Sequence, residues 1–156
     1  MELHLFEHTG ELVRAMLGEI DPPPRYRAHR RGVKVWFGPA KPTRFHYEAQ
    51  LIPGHLVDAP TADGEATIEV GFHAEHGDDR RNRAVLDHLG GNRRAWHRTL
   101  GDQAELGPFL GNSNWGRLSE VWVGDDLDDP ELAFELASRL VDYVEAVEPL
   151  LDDVVE

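Results

Sequence analysis

Three segments in the first half of the chain alternate apolar and other residues with a period of two, which is the pattern of β-strands. The first, RYRAHRRGVKVWFG, places Val33 and Val35 on one face. The segments TRFHYEAQLIP and ATIEVGFHAEH repeat the pattern, and connections rich in Gly and Pro separate the three. Because a short connection favours a hairpin, the segments predict an antiparallel sheet.

Helical patterns precede and follow these three strands. Residues 3–20 place apolar side chains three and four positions apart, which predicts an amphipathic helix. After the third strand, Asp78 or Asp79 is expected to cap the helix DDRRNRAVLDHL, because a carboxylate accepts hydrogen bonds from the free N–H groups of a helix start. The glycine pair Gly90-Gly91 is expected to kink or divide this helix.

The last third of the chain predicts two more strands and a closing helix. The strands are AELGPFLG and GRLSEVWVG, and the segment GNSNWGRL between them has the composition of a turn. Asp129 is the expected N-cap of the closing helix, with Pro130 at its first helical position. This helix should run to about Leu151 and bury apolar residues that include Phe134 and Leu140.

The resulting order is helix, three strands, helix, two strands, helix. It predicts one α+β domain over residues 1–156, with an antiparallel sheet covered by helices. A chain of 156 residues is long enough to build a core without disulfides or metals. The sequence has no cysteine, which excludes thiolate chemistry and Cys-rich zinc sites but leaves His and carboxylate ligands available.

The N-terminal segment MELHLFEHTGELVRAML carries acidic residues where a secretory signal needs a basic start. Elsewhere no stretch approaches the length of a membrane span. The sequence therefore predicts a soluble cytoplasmic protein with no membrane partner.

Charge is unevenly distributed along the chain. The net charge of −13 argues against nucleic acid as a partner, because phosphate binding needs Lys and Arg. Seven basic residues and no acidic one lie between Arg25 and Tyr47, whereas twelve acidic residues and Arg139 lie between Asp125 and Glu156. These are either two solvated faces, or a basic surface that meets an acidic protein partner or a second copy in a homodimer. The candidate interaction surface consists of Arg25, Arg27, Arg30, Arg31, Lys34, Trp36 and Arg44.

Polar residues alternate with the apolar residues of the second and third strands. If these strands pair antiparallel, the polar residues share one face and could bind Zn²⁺ or Mn²⁺. Their spacing matches no known ligand motif, and a half-exposed antiparallel sheet normally carries polar residues on its solvated face. A solvated face without a metal or cofactor is therefore the expected state. The polar cluster consists of His46, Glu48, Glu69, His73 and Glu75.

The element order is also that of PD-(D/E)XK nucleases, which hold Mg²⁺ with a carboxylate and a (D/E)-x-K motif on successive strands. The corresponding stretches here are Glu48-Ala49-Gln50 and Glu69-Val70-Gly71, and neither contains the lysine that orients the attacking water. An active nuclease is therefore not expected.

Two stretches resemble the uncharacterised family DUF4268, whose members are often attached to nuclease-like or restriction-associated proteins. IEVGFHAEHGDDRRNRAVLDHL, with Glu69, Asn82 and Leu89, resembles its strand-to-helix segment, and DDLDDPELAFELASRLVDYVEAVEPLL resembles its closing helix. The likeness covers roughly residues 3–151 and implies no established activity. The topology is also similar to type III secretion chaperones and their YbjN-like relatives, which are small acidic dimers that bind peptide segments.

The sequence thus predicts a non-enzymatic protein-interaction or accessory module. The alternative is a metal-dependent enzyme or a degenerate nuclease-like domain that uses the polar cluster.

Overall fold

The computed structural model describes residues 2–38, 44–58 and 65–152. Within them it contains four α-helices, one short 3-10 helix (Gly54–Val57) and one six-stranded antiparallel sheet, in agreement with the predicted α+β class. The helices are α1 (Glu2–Leu17), α2 (Asp79–Gly91), α3 (Arg93–Leu100) and α4 (Leu132–Leu151). The strands are β1 (Arg25–His29), β2 (Gly32–Trp36), β3 (Phe45–Leu51), β4 (Glu65–Ala74), β5 (Glu105–Phe109) and β6 (Asn112–Asp126). Their order across the sheet is β1-β2-β3-β4-β6-β5.

The helices pack on one face of this sheet. α1 and α4 contact each other, α1 contacts β1 and β2, and α4 contacts β3 and β4. The strands contribute their apolar alternation to this core, with Val35, Val70 and Leu118 fully buried. The Tyr47 hydroxyl also donates to Glu148 Oε2 on α4 at 2.7 Å, which adds a polar tie between the layers.

Four strands precede α2, not the three that the alternation predicts. The segment RYRAHRRGVKVWFG is a hairpin, in which β1 and β2 pair from Arg25↔Trp36 to His29↔Gly32. Its two-residue turn, Arg30-Arg31, lacks the Asn-Gly or Asp-Gly pair that marks such turns in a sequence. Gly32 follows directly and lets the chain approach β3, since a Cβ there would lie 2.8 Å from the Ala49 carbonyl oxygen.

The second predicted helix divides where the two glycines were expected to interrupt it. α2 ends at Gly91 and α3 begins at Arg93. Asp78 is the N-cap of α2, because its side chain accepts from the Arg80 backbone N–H at 3.0 Å. Asp79 lies in the first turn and pairs with Arg83 at 2.8 Å.

Three predicted boundaries differ from those observed. α1 ends at Leu17 and not at Ile20, because Gly18 adopts a φ of 66°. α4 begins at Leu132, two residues later than predicted; the Asp129 carboxylate accepts from the Glu131 N–H at 2.9 Å, as expected of a cap, but within the turn that leads into the helix. The turn expected in GNSNWGRL is shorter, because β6 already begins at Asn112 after a turn at Gly111.

Burial along α4 agrees with the predicted stripe except at Phe134. Leu140 is fully buried, whereas the Phe134 side chain is 53% exposed because it lies on the solvent side of the helix. Among the described residues, no helix is both long enough and apolar enough to cross a membrane.

Replacing the fully buried Leu140 by Asp should lower the free energy of unfolding by about 3 kcal/mol or more, because it buries an unpaired charge. Phe134→Asp on the same helix is the matched control and should change stability by less than about 0.5 kcal/mol. Urea denaturation of both variants measures the difference, and equal losses would contradict the packing described for α4.

Removing the cap of α2 with Asp78→Ala should cost about 1 kcal/mol of unfolding free energy, since the Arg80 N–H loses its acceptor. Asp79→Ala removes only an exposed ion pair and should cost less than about half as much. Thermal unfolding of the two variants side by side tests this order. A larger loss of stability in Asp79→Ala would show that Asp79, and not Asp78, is the cap.

Candidate metal centre

The antiparallel pairing of β3 and β4 brings the predicted polar cluster together. His46 pairs directly with His73 across the two strands, and Gln50 pairs with Glu69. Glu48 lies two residues after His46, so its side chain points to the same face of the sheet. Glu75 directly follows β4, where its backbone N–H donates to the Arg44 carbonyl oxygen at 2.7 Å. All five cluster residues therefore share the face opposite the helices.

This face is buried, and the expectation of a solvated polar face is wrong. Glu69 and His73 are 0% exposed, and only Glu75 in the cluster keeps an accessible part, at 16% of its side chain. Among the described residues, aromatic rings from the β5–β6 hairpin cover the cluster. Phe109 lies edge-on to His73 with 4.8 Å between ring centroids, and Trp115 packs behind Phe109 at 5.8 Å.

Gly71 allows β4 and β6 to pack closely beside the polar cluster. It lies opposite Glu48 on one side and opposite Ser119 on the other, with a φ of 153°. A Cβ at this position would lie 2.5 Å from the Leu118 carbonyl oxygen and 2.6 Å from the Cα of Ser119. Only glycine therefore allows β4 to approach β6 this closely between Glu69 and His73.

Four side chains converge on one point. A nitrogen or oxygen atom from each of His46, Glu48, His73 and Glu75 lies within 4.8 Å of the other three. His46 Nε2 is 3.2 Å from Glu48 Oε1 and 3.6 Å from Glu75 Oε2. His73 Nδ1 is 3.1 Å from the same Glu48 oxygen and 3.3 Å from the same Glu75 oxygen.

Glu69 holds His73 from its other side. Its carboxylate oxygens lie 2.7 and 2.9 Å from His73 Nε2. Gln50 Nε2 donates to Glu69 Oε1 at 2.9 Å, and the Ser119 hydroxyl also bonds this carboxylate. With its Nε2–H committed to Glu69, the imidazole presents Nδ1 to Glu48 and Glu75.

The pKa values in the cluster depend on each other. Burial alone would lower the pKa of His73, but Glu69, Glu48 and Glu75 surround it and raise that pKa well above the usual range. Burial alone would raise the pKa of Glu48 and of Glu69, yet the neighbouring imidazoles lower both pKa values. A cation at His73 thus stabilises two buried carboxylates.

The predicted interaction surface lies on the β1–β2 hairpin, except for Arg44 just before β3, and is only partly exposed. Arg25, Arg27, Arg30, Arg31 and Arg44 are exposed, and Lys34 is half-buried opposite Glu48. Trp36 is 3% exposed because it packs within the face that carries the polar cluster. It is therefore not part of an accessible surface, which corrects its assignment from the sequence.

Sequence reasoning missed a buried carboxylate outside the cluster, Glu120 on β6. Tyr143 donates to its Oε1 at 2.7 Å, Arg139 Nε donates at 2.8 Å, and Trp122 Nε1 donates to its Oε2 at 2.8 Å. Burial and then Glu120 raise the pKa of Tyr143 well above its usual range. These donors satisfy Glu120 and tie α4 to β6, so we assign this network a structural role.

No protein-family model, curated protein or solved structure matches this chain.

Stability of the chelator-treated protein should depend on pH through these groups. Glu48 and Glu69 have lowered pKa values in the folded state, so their contribution is present above their ordinary value of 4.5 and is lost as pH falls below it. The contribution of His73 to stability changes with pH in the opposite direction. It is fully present below pH 6.5, the ordinary pKa of histidine, and is lost as pH rises through the raised pKa of His73 in the folded state.

The Glu48→Gln variant tests the acid side of this dependence. We expect it to be less stable than the wild type at neutral pH and to lose less stability between neutral and acid pH, because one of the two titrating carboxylates is gone. Glu145→Gln, at an exposed position of α4, is the control and should keep the wild-type dependence. Urea denaturation over a pH series measures both, and parallel curves for all three proteins would contradict the coupling.

Proposed function

We propose that this chain is a metal-binding protein that holds a divalent transition metal, Zn²⁺ first among them, at His46, Glu48, His73 and Glu75. The observation that carries the proposal is the convergence of four donor atoms, one from each side chain, within 4.8 Å of one another. Two imidazole nitrogens with two carboxylate oxygens suit Zn²⁺, Mn²⁺ or Fe²⁺ better than Ca²⁺ or Mg²⁺, which prefer oxygen ligands alone.

The donor separations fit a tetrahedral ion. Zinc bonds to imidazole nitrogen and carboxylate oxygen are about 2.0–2.2 Å long, so neighbouring ligand atoms in a tetrahedron lie roughly 3.3–3.6 Å apart. Four of the six separations between the donors are 3.2, 3.6, 3.1 and 3.3 Å. The side chains therefore need little rearrangement to surround an ion.

Charge favours a cation in this place. Glu48, Glu69 and Glu75 put three carboxylates beside two imidazoles in a region from which water is largely excluded. An uncompensated buried charge costs several kcal/mol, and protons on the imidazoles offset it only in part. A divalent ion carries the same total charge as the two imidazole protons that it displaces, but it places that charge within bonding distance of both Glu48 and Glu75.

Glu69 supports the same interpretation from outside the ligand set. A metal-bound histidine usually donates its second ring N–H to a carboxylate, which fixes the ring and strengthens the ligand. His73 has this arrangement, with Nε2 on Glu69 and Nδ1 facing Glu48 and Glu75.

The four protein ligands and the aromatic cover favour a site that binds the metal without catalysing a reaction. Catalytic zinc sites keep one position open for water or substrate, whereas closed sites bind through four protein groups. Exchange of the ion is expected from the side of Glu75, which is the most accessible of the four ligands. A metal-dependent enzyme or degenerate nuclease-like domain, the alternative from the sequence, would need one of these ligands to leave.

Metal content and titration test the proposal directly. The chelator-treated protein should bind one Zn²⁺ per chain in isothermal titration, and His73→Ala should abolish stoichiometric binding because it removes a ligand. His55→Ala removes an exposed imidazole outside the cluster and should leave binding unchanged. Absence of stoichiometric Zn²⁺, Mn²⁺ or Fe²⁺ binding in the wild type would contradict the proposal.

Glu69→Gln tests the supporting carboxylate separately. We expect metal affinity to fall about 10- to 100-fold, because the amide holds the His73 Nε2–H less well than a carboxylate. The visible spectrum of the Co²⁺-loaded protein should keep its tetrahedral character, since all four ligands remain. An unchanged affinity would contradict the role of Glu69, and a lost spectrum would instead make it a ligand.

Interaction with a protein partner is a second candidate function, favoured by five exposed arginines, of which four lie on the β1–β2 hairpin and Arg44 lies just before β3. A homodimer in the cytoplasm, as the sequence predicts, and an accessory role of the kind that the DUF4268 resemblance implies both belong to this proposal. None of the five arginines belongs to the ligand set, but the Arg44 carbonyl oxygen accepts from the backbone N–H of Glu75, so Arg44 adjoins the proposed metal centre.

A further inference from the structure

Within the part of the chain that the structure describes, the outer edge of β6 lacks a neighbouring strand over much of its length. β4 pairs with β6 up to Asp126, but β5 reaches only to Ser119 on the other side. From Val121 to Asp126, no described strand occupies that side of β6. Unpaired strand edges present backbone N–H and C=O groups that pair readily with an added strand.

An acidic groove runs along this edge. It has a volume of about 640 Å³ and lies between β6, the start of β5 and α4. Val123 offers an apolar contact in it and is 53% exposed. The carboxylates of Asp125 and Glu135 line the groove, together with that of Glu105, which is already paired with Arg117 at 2.9 Å. Burial followed by the charge of Glu135 raises the pKa of Asp125. The guanidinium in the groove, that of Arg139, is already bonded to Glu120 and Asp142.

The opposite edge of the same sheet is basic. β1 pairs with β2 alone among the described strands. Arg25, Arg27 and His29 occupy alternate positions along it, and all three are exposed. Arg27 makes no ion pair with any described residue, so its charge is available to a partner.

We propose that the outer edge of β6 receives the β1 edge of a second copy of this chain, so that the sheet continues from one copy into the next. If the two edges pair antiparallel, the second copy is inverted relative to the first, and the arginines of its β1, which point away from its own helices, lie on the same side as Asp125 and Glu135 of the groove. Opposite charges across paired strands are stabilising. Like charges oppose the pairing of β1 with β1 or of β6 with β6. This inference goes beyond metal binding and does not rest on it; it names the surfaces by which self-association would occur.

Because the two edges are different, the contact is head-to-tail. In a dimer formed this way, one copy keeps a free β1 edge and the other keeps a free β6 edge. These two edges can each bind a further copy or bind each other, so the assembly either grows or closes into a ring. Association should therefore continue beyond the dimer as concentration rises, and it should weaken at high ionic strength because the exposed charges are screened.

Two edge variants test the pairing by sedimentation velocity. Arg27→Glu places an acidic residue on the β1 edge, and Glu135→Lys places a basic residue in the groove beside the β6 edge; both positions are exposed, so the fold should be retained. We expect the wild type to associate with rising concentration at low salt and each variant alone to stay monomeric. An equimolar mixture should regain association, because each variant supplies the edge that the other has lost.

Three outcomes would overturn the proposal: a wild type that is monomeric at every concentration, variants that associate as strongly as the wild type, or a mixture that stays monomeric. Circular dichroism melting of both variants confirms that they fold. Neither substitution touches the metal centre, so zinc titration of the same samples reports separately on the first proposal.

Discussion

Burial of both faces of β4 is the constraint on which the remaining structure depends. On one face, Val70 and Phe72 pack against the helices in an ordinary apolar core. On the other, Glu69 and His73 are equally buried but are polar, so each must find partners within the protein. Pairing of β3 with β4 supplies those partners, and the β5–β6 hairpin excludes water from them. A polar second core is therefore as much a product of the fold as the apolar one.

Much of this fold could be predicted from the sequence because local patterns and final structure agree. Period-two alternation identifies β3 and β4 and assigns their residues to the correct faces, and the cap Asp78 and the glycine pair mark the ends of α2. The β1–β2 turn was missed because arginines, which carry no turn signal, form it. The sequence wrongly places Phe134 in the core. The spacing of apolar residues shows which side of the helix is buried, but it does not show how wide the buried face is.

Membership of the cluster could be predicted, but its environment could not. Antiparallel pairing of two alternating strands is enough to place His46, Glu48 and His73 on one face. Whether that face meets water depends on Phe109 and Trp115, which come from a hairpin more than thirty residues later in the chain. No local pattern reports such a cover. The same applies to Glu120, whose partners Arg139 and Tyr143 come from a helix that follows β6.

Gly71 links the chemistry of the centre to a position that contributes no chemical group. Any side chain there would push β4 and β6 apart, and with them Glu69 and His73, although every donor would still be present in the sequence. A related chain could thus keep His46, Glu48, His73 and Glu75 and yet lose their arrangement through one substitution at Gly71. The presence of these four residues in a sequence is consequently a poor guide to the presence of the cluster, and the glycine between them is the residue to inspect first.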